Sequence, residues 1–177
     1  MKTRESTIYT GEIFEVPSGI QRIDTLGTHG WQVRYAGTKL FSDMLAGGGD
    51  PARSLAMATK ELLKRIAVMP APTKLQPRPS VNKTTDLPVG ISGPMFRQRK
   101  GSGARDISLS VLEPLFGQKP RRRTVYVGTE NTFTKLRFKA ALARAVDMRR
   151  AAEEKYRLAE TRARRAAGRA YKVSLAG

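Results

Sequence analysis

The sequence predicts an α+β fold of two tandem modules, each a three-stranded antiparallel sheet packed on one helix, with a long basic C-terminal helix. Three observations predict it. Short β-branched and aromatic runs separated by turn residues occur twice, and each set closes with a capped amphipathic helix. A proline-rich stretch divides the two sets. From Lys135 to Ala167 no Pro or Gly interrupts the chain, so the last helix has room to outrun its module.

Residues 1–16 form an N-terminal arm with two short apolar patches, Ile8-Tyr9 and Ile13-Phe14, readable as an edge strand or an ordered arm. The first module spans 17–66. Pro17-Ser18-Gly19-Ile20 opens it, and Ile20 to Asp24 makes a short, imperfect strand. Gly27-Thr28-His29-Gly30 is a turn. Trp31, Val33 and Tyr35 then share one face of a strand, with Gln32 and Arg34 on the other. Lys39-Leu40-Phe41 is the third strand. Asp50 and Pro51 mark a helix start, as N-cap and first helical residue. Leu55, Ala58, Thr59, Leu62 and Ile66 give that helix its apolar face.

Residues 67–87, with Pro70, Pro72, Pro77 and Pro79, form a semi-extended linker of up to about 60 Å at roughly 3.1 Å per residue. The second module spans 88–149. Pro88-Val89-Gly90-Ile91 repeats the opening signature of the first. Phe96 to Lys100 is a strand with basic residues on both faces. Ile107, Leu109 and Val111 alternate with Ser108 and Ser110 in a half-buried strand. Arg121-Arg122-Arg123 precedes the third strand, Thr124 to Val127, which Gly128 ends. Thr134 caps a helix whose apolar face is Phe138, Ala141, Leu142, Ala145 and Val146. The shared order of elements reads as two diverged copies of one β-β-β-α unit, the helices offset by 87 residues (Ser54-Leu55-x-x-Ala58 against Ala141-Leu142-x-x-Ala145). Residues 150–177 are a basic helical extension. Ala152, Tyr156, Ala159, Ala163, Ala166 and Ala170 form a heptad-spaced seam, with Arg157, Arg162, Arg164, Arg165 and Arg169 around it. That helix reads either as a solvated arm or as one that orders against phosphate or a partner helix.

Charge sets the expected partner. The chain carries 33 Lys and Arg against 15 Asp and Glu, and the surplus is uneven: net +4 over residues 1–96 and net +14 over 97–177. Such a surplus attracts a polyanion, most economically nucleic acid through counterion release. No apolar run suits a spanning helix, no segment suits an interfacial one, and the N-terminus has no apolar signal segment; a cytoplasmic, non-membrane protein is expected. The 177 residues include no cysteine, which excludes disulfides and thiolate metal sites. His29 is the single histidine, and neither carboxylate clusters nor a phosphate-loop ending accompany it, so no catalysis, cofactor or metal is expected.

The module resembles the DNA-binding domain of the Apetala and ethylene-response-factor family, whose relatives include phage and bacterial integrases and homing endonucleases. Gly19-Ile20, Trp31-Gln32-Val33-Arg34, Lys39-Leu40-Phe41 and the helix from Pro51 carry the resemblance in the first copy. In the second it rests on Pro88-Val89-Gly90-Ile91, Val125-Tyr126-Val127-Gly128-Thr129 and Ala141-Leu142-Ala143-Arg144-Ala145. The resemblance implies a three-stranded sheet laid in the DNA major groove with the helix behind it. It also implies base and phosphate contacts from Arg22, Trp31 and Arg34 in the first copy and from Arg97, Arg99 and Arg105 in the second. Trp31 has a competing role as core. Lys100, Arg157, Arg164 and Arg165 are further candidates, and Arg121, Arg122 and Arg123 suit either a phosphate clamp or a solvated loop.

The expectation is a non-enzymatic double-stranded DNA-binding protein, regulatory or architectural, in a phage or bacterium. The alternatives are a protein-interaction factor acting on the transcription machinery through the alanine seam, including self-association, and a binder of structured RNA or the ribosome.

Overall fold

The computed structural model describes residues 1–45, 48–98, 101 and 103–176. It is α+β, with every strand pairing among the described residues antiparallel and two helices. The chain divides into two units: unit 1 comprises Met1–Pro72 and Glu160–Gly177, and unit 2 comprises Thr73–Ala159.

In unit 1, β1 (Thr3–Thr7) and β2 (Ile13–Pro17) form a hairpin. The N-terminal arm is therefore ordered, and Ile8 and Val16 reach the core. Strands β3 (Ile20–Thr25), β4 (Thr28–Arg34) and β5 (Thr38–Ser42) make a sheet in that order, and the two-residue strands β6 (Met44–Leu45) and β7 (Gly48–Gly49) pair beyond it. Helix α1 (Pro51–Val68) follows, its first turn capped by the Asp50 carboxylate, which accepts from the Arg53 amide at 2.8 Å. Ala58, Leu62 and Ile66 of α1 close over Ile20, Trp31, Val33 and Tyr35. The period-two pattern of β4 meets the helical period of α1, which is why this face is dry.

In unit 2, β8 (Ile91–Gln98), β9 (Arg105–Glu113) and β10 (Arg121–Thr129) form a sheet in the order β10-β9-β8. Helix α2 (Lys135–Ser174) starts at Thr134, whose hydroxyl accepts from the Arg137 amide at 3.1 Å. Ala141 and Ala145 cover Ile91, Ile107, Leu109, Val111, Val125 and Val127, with Phe138, Leu142 and Val146 at the margin. At 1.5 Å per residue α2 is about 60 Å long, and its residues from Glu160 onward belong to unit 1.

Two local expectations change, both in the third strand of unit 2. The third strand of unit 2 begins at Arg121, because Arg121, Arg122 and Arg123 pair with Glu113, Leu112 and Val111. A strand partner extends pairing beyond the residues of high β propensity. The strand also passes Gly128 through a bulge and ends at Thr129. Separately, α2 packs in unit 1 through a face other than its alanine seam. Ala163, Ala166 and Ala170 are exposed, while Thr161, Arg164, Gly168 and Tyr171 turn inward. Gly168 sets that choice: a Cβ there would lie 2.9 Å from Ile66 Cγ2, so only glycine lets α2 approach α1 so closely.

Candidate nucleic-acid interface

In each unit the helix covers one face of the three-stranded sheet, so strand parity decides which side chains remain on the other. In unit 1, register places Arg22 opposite Trp31, on the covered face. Trp31 is fully buried, its indole N–H donating to the Pro51 carbonyl at 2.8 Å. The Arg22 guanidinium lies 4.9 Å over that ring and is paired with Asp24 at 2.7 Å and Asp43 at 2.6 Å. Arg22 in turn holds the Asp24 carboxyl below the usual carboxylate range. Both residues therefore seat α1 against the sheet and are closed to a nucleic acid. Of the three first-module contacts the resemblance implies, only Arg34 faces away from the helix. It is exposed, and its Nε donates to Gln32 Oε1 at 2.6 Å. Its neighbours on that face are Gln21, Thr38 and Leu40, so the open face of this sheet is nearly neutral.

The sheet of unit 2 is different. Parity splits the arginine triplet. Arg121 and Arg123 lie on the side of Val111 and Val125 and share the Glu113 carboxylate, at 3.0 and 3.6 Å. Arg122 points to the opposite, uncovered side together with Thr124 and Tyr126 of β10. Asp106 and Ser108 lie along the middle of that side, with Ser92, Met95 and Arg97 on β8 and Asp106 opposite Arg97, while Ser110, of the same parity, is buried. Arg97 and Arg122 are both exposed and form no ion pair among the described residues. Tyr126 is 52% exposed. Ser108 keeps the middle of this face low, so an approaching surface meets an aromatic ring, two guanidinium groups without an ion pair among the described residues, and the Asp106 carboxylate across from Arg97.

The remaining candidates are more constrained. Arg105 lies on the covered side, bound to Glu130 at 2.8 Å and 5.6 Å over the Phe96 ring; its guanidinium holds the Glu130 carboxyl below the usual range. Arg157 is largely exposed, at 3.8 Å from Glu153. Arg164 donates to the Ser18 carbonyl at 2.7 Å and lies over the Tyr35 ring, where burial pushes the Tyr35 phenol up. Arg165 donates to the Val68 carbonyl at 3.1 Å, at the end of α1. A cation there satisfies a terminal carbonyl of a helix whose C-terminus is negative. These two arginines dock α2 within unit 1. Arg99 and Lys100 lie outside the described residues.

Sequence reasoning did not single out Arg149, Tyr126 or the serine track. Arg149 is buried, donating to the Leu112 carbonyl and to Glu153 at 2.7 Å. The signal for Tyr126 and the serines was present in the alternation of Val125 and Val127, and of Ile107, Leu109 and Val111. Nothing in that pattern separated a solvated face from a working one.

Among the described residues no group of three or more His, Asp or Glu side chains is arranged to hold a metal ion, and no helix is long and apolar enough to cross a membrane. Unit 2 carries 19 Lys and Arg against 7 Asp and Glu, net +12; unit 1 carries 14 against 8, net +6. Comparison with family models, with curated proteins and with solved structures finds no match.

Proposed function

We propose that the chain is a non-enzymatic double-stranded DNA-binding protein that presents the open face of the β8–β9–β10 sheet to the major groove. The observation that carries the reading is the pair of exposed arginines, Arg97 and Arg122, without an ion pair among the described residues, on a helix-free sheet face with Tyr126 and the Ser108 hydroxyl. A ribbon of two or three strands fits the major groove, where arginine bonds guanine O6 and N7 in bidentate fashion and serine serves either bases or phosphates. The net +12 of unit 2 supplies the sequence-independent part of the affinity. A regulatory or architectural role in a phage or bacterium suits such a binder.

The two sheets are read as diverged copies of one Apetala-like module. Several correspondences support this. Gly19 and Gly90 both take positive φ, +112° and +74°, just before a buried isoleucine. Their carbonyls accept from Arg34 and Leu112, each at 2.7 Å. Ile20 then pairs with Val33, and Ile91 with Val111. At the 87-residue offset, the inward positions Ser54, Ala58 and Leu62 of α1 match Ala141, Ala145 and Arg149 of α2. Leu62 packs over Gly19 as Arg149 packs over Gly90. In this reading the near-neutral first sheet contributes positioning through Arg34, and the second supplies most of the binding.

The test is binding of the full chain to duplex DNA, duplex RNA and single strands of matched sequence over a salt series. Duplex DNA is expected to bind tightest, with log K falling against log salt by about 0.9 per phosphate neutralised. A preference for duplex RNA would move the reading to structured RNA. No binding near physiological salt would end both.

A further inference from the structure

Unit 1 contains an open groove of 910 Å³ between α1 and the 165–175 end of α2. Its floor is apolar, formed by Leu55, Ala56, Leu63, Ile66, Gly168 and Tyr171. Its rim is cationic: Lys60, Lys64, Arg165, Arg169 and Lys172 stand against the single carboxylate of Glu15. Along α1 the lining positions run from Ala52 to Ala67 at steps of three and four, about 22 Å of helix at 1.5 Å per residue. A groove of that length, walled by helices on both sides, matches an amphipathic helix that inserts apolar side chains at i, i+4 and i+7. Charge selects the occupant. A second copy of this chain brings another net +18 and is repelled, whereas acidic residues flanking an apolar stripe complement the rim. We propose that this groove docks an acidic amphipathic helix of a partner protein. The site lies wholly within unit 1, and it does not depend on the DNA-binding reading.

The test uses the isotopically labelled full chain and a synthetic helical peptide of about 16 residues, leucine at i, i+4, i+7 and i+11 and glutamate at most other positions. Saturable micromolar binding is expected, with backbone shifts concentrated at Leu55, Ala56, Leu63, Gly168 and Tyr171. Ala56→Trp fills the groove from an exposed helical position and should weaken the peptide by about tenfold or more while leaving duplex DNA affinity unchanged. The double variant Lys60→Glu, Lys64→Glu should weaken it comparably and carries the test if Ala56→Trp does not fold. A control peptide of equal charge without leucine should bind about tenfold less tightly. Equal binding of that control, shifts outside the groove, or tighter seating of oleate or anionic vesicles on the same residues would overturn the proposal.

Discussion

Arg121, Arg122 and Arg123 are chemically identical neighbours that parity sends to different sides of one sheet, so they separate a face-specific interaction from general positive charge. Arg122→Ala removes from the open face an exposed guanidinium that has no ion pair among the described residues. If that group neutralises one phosphate, the salt slope falls by about 0.9, and affinity at about 0.15 M salt falls roughly fivefold. Arg121→Ala and Arg123→Ala remove cations from the helix side, where each shares Glu113 with the other. Their loss leaves Glu113 one partner, changes folding stability by at most about 1 kcal/mol, and should leave the slope within about 0.3 of the parent. Fluorescence anisotropy of a labelled duplex over roughly 50–300 mM salt reads both quantities. Equal losses from all three substitutions would refute the face assignment and reduce the triplet to unspecific charge. No loss from Arg122→Ala would refute the contact itself.

Three further outcomes follow from the packing. Trp31→Phe should destabilise unit 1 by about 2 kcal/mol, because the buried Pro51 carbonyl loses its indole donor, and should leave duplex affinity unchanged; urea denaturation and anisotropy check the two halves. Gly90→Ala should cost about 1–2 kcal/mol for the left-handed backbone alone, and more because the new Cβ would stand 2.7 Å from the Arg149 guanidinium, which must shift from its place over the glycine. Thermal unfolding, set against the milder Gly103→Ala where no neighbour is near, measures it. Arg22 lowers the folded-state pKa of Asp24, so its stabilisation is full above the ordinary value of 3.8 and drains away as pH falls through the depressed value. Asp24→Asn should flatten part of the stability loss between about pH 5 and pH 3, read from urea midpoints.

The elements that the sequence made legible are those with a local cause. Asp50-Pro51 and Thr134 announce their helices because cap chemistry is local. Trp31, Val33 and Tyr35 announce a half-buried strand because alternation is local. What stayed hidden depends on partners distant in the chain. Arg121 joins β10 because β9 runs alongside it, which no propensity of three arginines indicates. The alanine seam has a regular heptad spacing, yet α2 packs in unit 1 through Arg164, Gly168 and Tyr171, with Gly168 giving the close approach to Ile66 that heptad spacing does not signal. The site was half legible in the same way. Positive charge marked the second half of the chain, but each arginine's freedom depends on whether a carboxylate or carbonyl meets it. Arg22, Arg105, Arg164 and Arg165 have such partners; among the described residues Arg97 and Arg122 have none.

The most direct measurement is a photo-crosslink from the open face itself. A benzoylphenylalanine placed at position 126 stands among Thr124, Arg122 and Ser108, whereas one placed at position 116 sits on the helix side, where Phe116 meets Tyr156. Irradiated with a labelled duplex at moderate salt, the chain carrying the probe at 126 should yield a DNA adduct that unlabelled duplex competes away, and the chain carrying it at 116 should yield little. An adduct from position 116 with none from position 126 would contradict the proposed interface.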